Sequence, residues 1–239
     1  MRNPSVVQKL GAEAIGTFMV TAAAIGVDIF YYSQGNVDYV SRWLTRGFVV
    51  AVVIYAFADT SGAHVDPAVT IGFWIRRLFS FRLTAAYVFA QFAGAFAAAA
   101  LWLWLLGPSA LALGASHPGP QFSPLVAALA ECVLTFALML VILMTAQAAP
   151  SVGKQAALAV GFAVAACGFV AGPISGASMN PARTIAPQIL SGNFANIWIY
   201  VVGPVCGAGL AVVAHWLLCG APSPAQARAA RGKSHAADR

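Results

Sequence analysis

Charged side chains are scarce in this chain, and their scarcity excludes most soluble folds. Asp, Glu, Lys and Arg make up 8% of the 239 residues, whereas hydrophobic residues make up 60% and the mean hydropathy is +0.80. A soluble domain carries roughly 25% charged residues. We therefore predict an integral membrane protein that is surrounded by the lipid bilayer.

The sequence also lacks the motifs on which catalysis or metal binding depends. Its four cysteines lie in apolar stretches without a CxxC pair or a paired histidine, and are interpreted as small buried side chains. A phosphate-binding loop and a nucleophile–base pair are also missing from the sequence. We therefore expect no enzyme, no metal site and no cofactor. The cysteines are Cys132, Cys167, Cys206 and Cys219.

The formal net charge of +6 does not indicate a nucleic-acid partner, because of where the basic residues lie. Four of the thirteen are in the C-terminal tail, and others flank apolar stretches. With the N-terminus in the cytoplasm, all but Arg42, Arg46 and Arg183 lie on the cytoplasmic side, in agreement with the positive-inside rule. This predicts a multi-pass protein of the cell's inner (plasma) membrane with both termini cytoplasmic.

The apolar residues fall into stretches of two lengths. Six stretches approach the ~20 residues that a transmembrane helix needs, and two are about half as long. The short stretches are predicted to be half-helices or surface segments. The predicted spans are about Leu10–Tyr32, Trp43–Ala58, Leu83–Leu106, Pro124–Ala148, Gln155–Gly172 and Phe194–Leu218, and the short stretches are Pro67–Leu78 and Pro181–Leu190.

One stretch occurs twice, and the rest of the chain is organised around it. Ser61–Thr70 has the sequence SGAHVDPAVT, and Ser175–Thr184 has the sequence SGASMNPART. Asp or Asn is a favoured helix N-cap, and Pro is favoured at the first helical position. Two helices are therefore predicted to start inside the membrane, where irregular backbone is tolerated only within protein or around a cavity.

A second repeat decides the predicted architecture. Ala12–Phe18 (AEAIGTF) and Ala130–Phe136 (AECVLTF) share Ala, Glu, Thr and Phe at the same spacing. Each copy precedes one of the Asx-Pro-Ala stretches, and each repeat holds three spans. Because three is odd, the second repeat enters the membrane from the opposite side. This predicts an inverted repeat whose two half-helices meet near the midplane.

These features resemble the aquaporin and aquaglyceroporin (major intrinsic protein) family, including its bacterial aquaglyceroporin-like and metalloid-channel-like members. The resemblance covers about Leu10–Leu218 and includes the trailing Arg183. It implies the all-α aquaporin fold, with six transmembrane helices and two half-helices, and a homotetramer with one pore in each protomer. Residues 1–220 are then one channel domain, made of repeats at about 1–115 and 116–220. Residues 221–239 are expected to be a disordered cytoplasmic tail.

The resemblance also implies that the two Asx residues meet the solute at the midplane of the pore. Asn180 can donate a hydrogen bond there, but Asp66 stands where the family has Asn, and an ionised Asp has no donor. Burial favours the neutral carboxyl and a helix N-terminus favours the ionised one. Both a tolerated exchange of caps and an altered selectivity therefore stay open. The predicted midplane residues are Asp66, Pro67, Ala68, Asn180, Pro181 and Ala182.

Four residues are predicted to form the family's outer constriction, here called the filter. Counting from the two boxes places them at Arg46, Gly168, Ala177 and Arg183. Water-selective relatives usually have an aromatic residue and His at the first two positions, so Gly168 and Ala177 indicate a wider, glycerol-type or metalloid-type filter. Arg46 either faces the pore, which would give a doubly cationic mouth, or extends to the outer surface near Trp43.

Three further polar residues are assigned to loop support. Glu13 and Glu131 lie inside spans, where a carboxylate is a functional candidate by default. The resemblance implies that they accept hydrogen bonds from the re-entrant loops. His64 is expected to hold its own loop, with a pH-dependent gate as the alternative.

The resemblance implies a passive channel for small neutral solutes. The small filter residues favour glycerol-like polyols or metalloid hydroxides such as arsenite, together with water. Thr184 stands where glycerol channels usually have Asp, which favours the metalloid channels. The alternatives are a water-selective channel narrowed by Arg46, an oxyanion-permeable pore, a proton-coupled transporter that titrates Asp66, and a structural membrane protein with a closed pore.

Overall fold

The structure, a computed structural model, describes residues 4–35, 37–145, 155–222 and 224–232. Within these ranges the chain is all-helical, and six helices are long and apolar enough to cross a membrane. The predicted fold class is therefore confirmed. The six are α1 (Val6–Gln34), α2 (Tyr39–Ser61), α4 (Phe81–Leu113), α5 (Pro124–Thr145), α6 (Ala156–Ser175) and α8 (Ile199–Cys219), and the shorter helices are α3 (Pro67–Ile75), α7 (Pro181–Leu190) and α9 (Pro224–Ala230).

The two half-helices begin at the prolines of the repeated stretch. Asp66 is the N-cap of α3 and Asn180 is the N-cap of α7, each followed by Pro at the first helical position. The helices have 9 and 10 residues. At ~1.5 Å per residue, each covers about half of the hydrocarbon core.

A glycine and a proline interrupt α4 close to its end. Gly107 has φ 80° and ψ 174°, a conformation that residues other than glycine rarely adopt, and Pro108 follows it. The predicted span ends one residue earlier, at Leu106. Residues 108–113 of α4 are therefore a separate short segment after the break.

Small residues let the helices of each repeat approach closely. α1 packs on α4 in the first repeat, and α5 packs on α8 in the second. A Cβ added at Gly94 would collide with the carbonyl oxygen of Ala14, and one at Gly207 would collide with that of Cys132. Neither helix pair could pack this closely with a larger residue at its glycine.

The two repeats meet through a reciprocal pair of glycines on α2 and α6. A Cβ at Gly47 would collide with the carbonyl oxygen of Gly161, and a Cβ at Gly161 would collide with that of Gly47. Each half-helix also packs on the last helix of the other repeat, α3 on α8 and α7 on α4. The two halves therefore interlock and share one interior.

Both ends of the described chain lie on one face of the bundle, here called the termini face. Arg76 Nη2 donates to Gly220 O at 2.7 Å, and Lys9 Nζ contacts Arg231 O. The other face, here called the opposite face, carries the segment around His117, whose ring lies 6.4 Å from that of Tyr32.

The C-terminal segment differs from the expected disordered tail. Residues 224–230 form helix α9, and Ala230 is 3% exposed because it packs against the membrane domain. The sequence failed to show this, since a run of Ala, Pro and Arg carries no pattern that specifies a docking site. The prediction for residues 233–239 lies outside the described residues.

Candidate functional site

Glu13 holds the first re-entrant loop from inside α1. Its Oε1 accepts hydrogen bonds from Ser61 Oγ at 2.6 Å and from the backbone N–H of His64 at 3.0 Å. Its Oε2 accepts from the N–H of Val65 at 2.8 Å and from Gln91 Nε2 at 2.7 Å. All four donors lie within the bundle, so the carboxylate satisfies backbone groups that water cannot reach.

Glu131 holds the second loop in the same way from inside α5. Its Oε1 accepts from Ser175 Oγ at 2.7 Å and from the N–H of Ser178 at 2.8 Å, and its Oε2 accepts from the N–H of Met179 at 2.6 Å. The two carboxylates therefore take equivalent positions in the two repeats.

These contacts hold the loops in a backbone conformation that is costly for their residues. Ala63 and Val65 have φ of 48° and 46° in the first loop, and Ala177 and Met179 have φ of 41° and 56° in the second. Such conformations cost of order 1–3 kcal/mol each for residues other than glycine. In each loop the carboxylate accepts the N–H of the second of these residues, which opposes relaxation.

Two tyrosines that the sequence analysis did not single out fix the starts of the loops. Tyr87 Oη donates to Ser61 O at 2.8 Å, and Tyr200 Oη donates to Ser175 O at 2.7 Å. Both side chains are fully buried. The signal was available, because each tyrosine follows its serine by nearly the same number of residues, 26 and 25.

The two Asx caps behave differently at the point where α3 and α7 meet. Asp66 Oδ1 accepts from the N–H of Ala68 at 2.7 Å, and Asn180 Oδ1 accepts from that of Arg183 at 3.2 Å. Asn180 Nδ2 also donates to the carbonyl of Val65 at 2.8 Å, which links the two loops directly. Both caps are buried, as are the residues that follow them. Those residues are Pro67 and Ala68 in α3, and Pro181 and Ala182 in α7.

His64 lies on the termini-face side of the first loop. Its Nδ1 is 3.1 Å from Thr70 Oγ1, and its Nε2 donates to Ala230 O at 2.9 Å. The ring stacks on Phe73 with 4.5 Å between the centroids. His64 therefore contacts both its own half-helix and the C-terminal segment.

Arg46 points into the bundle and does not extend to the outer surface. It is 6% exposed, and its Nη1 donates to the carbonyl of Gly176 in the second loop at 3.2 Å. Its Nη2 forms an ion pair with Asp28. Arg183 also binds Asp28, through Nη2 at 2.7 Å, and its Nη1 contacts Ser116 Oγ. The structure thus brings Arg46 and Arg183 together.

Gly168 does not leave an open space. A Cβ at this position would collide with the ring of Trp43, and a Cβ at Gly172 would meet the same ring. Trp43 is fully buried, and the guanidinium carbon of Arg46 lies 4.4 Å from its ring centroid. Gly168 was expected to leave a wide opening, but an indole from α2 fills the volume beside it. Ala177, which is 2% exposed, lies in the loop between Gly176 and Asn180.

The sequence analysis also missed Asp28, a carboxylate inside α1 that is 1% exposed. Its Oδ1 accepts from Arg42 Nε at 2.7 Å, while its Oδ2 pairs with Arg46 and Arg183. Three arginines on the same side of the membrane needed a counter-charge, and a carboxylate in an apolar span is a functional candidate by default. That signal pointed to Asp28.

Comparison with known proteins agrees with this geometry. The family model described as "Major intrinsic protein" matches residues 1–215.

The chain belongs to the major intrinsic protein family.

Its relatives include plant aquaporins. Aquaporin NIP1-1 of Oryza sativa subsp. japonica is 39% identical over 208 residues, which cover 84% of this chain and 71% of the relative. Aquaporin NIP2-2 of Zea mays is 39% identical over 206 residues, which cover 85% of this chain and 69% of the relative. Among solved structures, the aquaglyceroporin from Plasmodium falciparum matches with a TM-score of 0.81 and 25% identity, over 90% of this chain and 98% of that chain.

Members of the major intrinsic protein family are channels for water and small neutral solutes, and this chain is a multi-pass membrane protein of that family. The structural match supports the aquaporin fold.

Proposed function

We propose that this protein is a passive channel for small, neutral, oxygen-rich solutes, with glycerol-like polyols and metalloid hydroxides such as arsenite as the solute class, together with water. The path runs between the two half-helix N-termini and past the arginine cluster. The proposed midplane residues are those around Asp66 and Asn180, and the proposed filter is Arg46, Gly168, Ala177 and Arg183. Glu13, Glu131 and His64 are proposed to support the loops.

The observation that carries this proposal is the excess of hydrogen-bond donors at the filter. Three guanidinium groups share the single carboxylate of Asp28. Within the described part of the chain, Arg46 Nε and Trp43 Nε1 are buried and have no hydrogen-bond partner. Buried donors normally have an acceptor. A solute rich in hydroxyl oxygens can supply it, while the net positive charge repels cations.

A water-selective channel is the second candidate, because the filter is narrower than its small residues alone indicate. The ring of Trp43 fills the volume beside Gly168, and Arg46 points inward. Both features reduce the space for a three-carbon solute. Water, which is smaller than a three-carbon solute, would still pass and would still meet hydrogen-bond donors at this position.

The proposal includes the assembly and placement of the channel. We propose a homotetramer in the cell's inner membrane, with the termini face in the cytoplasm. Support comes from the basic residues on that face and from the family resemblance. Cross-linking in membranes would test the assembly, and protease cleavage of the C-terminus in sealed vesicles would test the orientation.

Light scattering by reconstituted vesicles tests the solute. Shrinkage and re-swelling are followed in stopped flow with matched osmotic gradients of an impermeant sugar, glycerol and neutral arsenite. Rapid re-swelling with glycerol or arsenite, absent from protein-free vesicles, is the expected result. Rapid water flow without re-swelling would instead favour the water-selective candidate, and the absence of any flux would overturn both.

A further inference from the structure

We propose that Asp28 is a positioning residue that determines which solutes pass, because it holds Arg46 and Arg183 together at the filter. This inference deepens the proposed function and rests on it for the identity of the neutral solute. It concerns a residue of α1, which lies outside the four predicted filter positions.

Arg46 and Arg183 would separate without Asp28. Both carry positive charge, both are buried, and both bind the same carboxylate oxygen, Oδ2. Two like charges that bind one oxygen atom lie close together, and they repel strongly where water is excluded. The other hydrogen bonds of the two side chains go to uncharged groups. Arg46 donates to the carbonyl of Gly176, and Arg183 contacts the hydroxyl of Ser116.

Arg42 binds the carboxylate oxygen of Asp28 that does not contact Arg46 or Arg183. Its Nε donates to Oδ1 of Asp28 at 2.7 Å. Its guanidinium carbon lies 4.7 Å from the ring centroid of Tyr31, 4.8 Å from that of Tyr32 and 4.5 Å from that of Trp43. Three aromatic faces stabilise its charge. Asp28 is therefore held on one oxygen by an anchored cation, and presents the other oxygen to the filter.

The charge balance gives the expected consequence of losing the carboxylate. Three arginines and one aspartate leave the cluster with a net charge of two positive units when all are ionised. Asp28→Asn raises this to three and releases Arg46 and Arg183 from their shared acceptor. We expect the mouth to attract small anions. We also expect the separation between Arg46 and Arg183 to vary, so that the filter discriminates less between solutes.

The test compares Asp28→Asn and Asp28→Glu with the wild type in reconstituted vesicles. The matched control is Asp59→Asn, which makes the same chemical change at an exposed carboxylate on α2. Water, glycerol and formate fluxes are measured for each protein. We expect formate flux relative to water flux to rise about tenfold in Asp28→Asn, to return toward the wild-type value in Asp28→Glu, and to stay unchanged in the control.

A double variant shows whether Asp28 acts through Arg46. If it does, Asp28→Asn changes the flux ratios much less in an Arg46→Ala background than in the wild type. Unchanged ratios in a folded Asp28→Asn protein would overturn the inference while leaving the proposed function intact. If the wild type passes neither glycerol nor arsenite, the proposed solute class is wrong, and the formate ratio still tests Asp28. A purely structural role would lower all fluxes together.

A separate observation, on the termini face, carries a second inference. We infer that residues 224–232 close the channel mouth on that face by binding to the first re-entrant loop. The segment that closes this mouth is therefore part of the channel's own chain.

The contacts place this segment directly against the loop. His64 Nε2 donates to Ala230 O at 2.9 Å. A Cβ at Gly62 would collide with the same carbonyl oxygen, and a Cβ at Gly232 would collide with the backbone of Thr60. Gly62 and Gly232 thus permit a backbone-to-backbone approach that larger residues would prevent.

Two hydrogen bonds hold the segment against other elements, and a third holds the chain just before it. Arg231 Nε donates to Leu78 O at 3.1 Å, in the turn after the first half-helix, and Lys9 Nζ from α1 contacts Arg231 O. Arg76 Nη2 binds Gly220 O at 2.7 Å and fixes the chain where it leaves α8. The segment therefore contacts α1, the re-entrant loop and the turn after α3 at once.

Truncation tests this inference with water flux, which does not depend on the identity of the solute. A chain that ends at Gly220 removes the segment, and a chain that ends at Gly232 keeps it and is the matched control. We expect the first to conduct water several-fold faster per channel than the wild type, and a synthetic peptide of residues 221–239 to reverse the gain. Equal fluxes in all three proteins, at equal amounts of folded channel, would overturn it.

Discussion

The indole ring of Trp43 lies where the first side-chain carbon of residue 168 would stand if that residue were not glycine. The two residues come from different repeats, on α2 and α6. Residue 168 must stay without a side chain because the ring is present, so the glycine and the tryptophan form one packing unit at the proposed filter. We therefore expect the width of the proposed filter to depend on the ring.

Trp43→Ala is expected to widen the filter. Its removal takes away the ring that occupies the volume beside Gly168 and Gly172. Glycerol flux should rise relative to water flux, and larger polyols should begin to pass. Truncating a buried Trp also costs ~3–5 kcal/mol of stability, so the thermal midpoint is measured first. Trp104→Ala is the control, because Trp104 is 80% exposed on the outside of the bundle. A glycerol-to-water ratio equal to that of the wild type would show that the ring does not limit the path.

Arg46→Ala should widen the range of solute sizes and lower any preference for oxyanions. The variant removes one of the two guanidinium groups on Asp28 Oδ2 and leaves Arg183 paired with that carboxylate. The measurement is the uptake of glycerol and of a small oxyanion in the same vesicle preparation. Unchanged selectivity for both would mean that Arg46 does not border the solute path.

Asp66→Asn tests the charge at the meeting point of the half-helices. Asn can replace Asp as the helix cap, because its Oδ1 can also accept the N–H of Ala68. It cannot carry a negative charge that offsets the positive ends of α3 and α7. Any proton or cation leak of the wild type should therefore fall. A pH-sensitive dye inside the vesicles measures the leak, and a wild type without any leak would contradict the expectation.

Tyr87→Phe and Tyr200→Phe are expected to destabilise the protein by similar amounts. Each variant removes one hydroxyl that donates to the serine carbonyl at the start of a re-entrant loop. The loss of such a hydrogen bond costs ~0.5–1.5 kcal/mol, and leaving the carbonyl unpaired can raise the cost. Thermal unfolding in detergent measures both. Clearly unequal losses would show that the two halves do not support their loops equally.

Gly47→Ala should weaken the contact between the repeats. The new Cβ would collide with the carbonyl oxygen of Gly161 and approach Ala165 Cβ to 2.9 Å. Overpacking of this kind typically costs ~1–3 kcal/mol. Gly11→Ala is the control, because a Cβ there has no heavy atom within 4 Å, and Ala favours a helix over Gly by ~0.5–1 kcal/mol. A lower thermal midpoint is expected for the first variant and an equal or higher one for the second.

The elements could be predicted from the sequence because their signals are local or repeated. The Asx-Pro-Ala stretches specify the starts of α3 and α7, and the repeated Glu marks equivalent positions in α1 and α5. The partners of the filter residues were harder to find. Asp28 lies 18 residues from Arg46 but 155 from Arg183, so its role exists only once both repeats are packed.

The packing of Trp43 and of α9 could not be read from the sequence for the same physical reason. A glycine shows only that a side chain is missing, and the ring that fills the space comes from another helix. The C-terminal segment has no apolar periodicity, and two of its contacts are made through the backbone carbonyls of Ala230 and Arg231. Almost every residue type can make such backbone contacts, so the sequence does not reveal them.

The ion pairs of Asp28 also bear on how the chain enters the bilayer during synthesis. Arg42 and Arg46 follow Asp28 by 14 and 18 residues, so the carboxylate and two of its cations are translated within one helical hairpin, α1–α2. A lone charge in a membrane helix is costly on insertion, by up to ~2.5–3.5 kcal/mol at the helix centre and by less toward the helix end, where Asp28 lies. The hairpin can leave the translocon with the carboxylate already paired to arginine, long before Arg183 is made. The same carboxylate would then serve the nascent chain first and the finished channel afterwards.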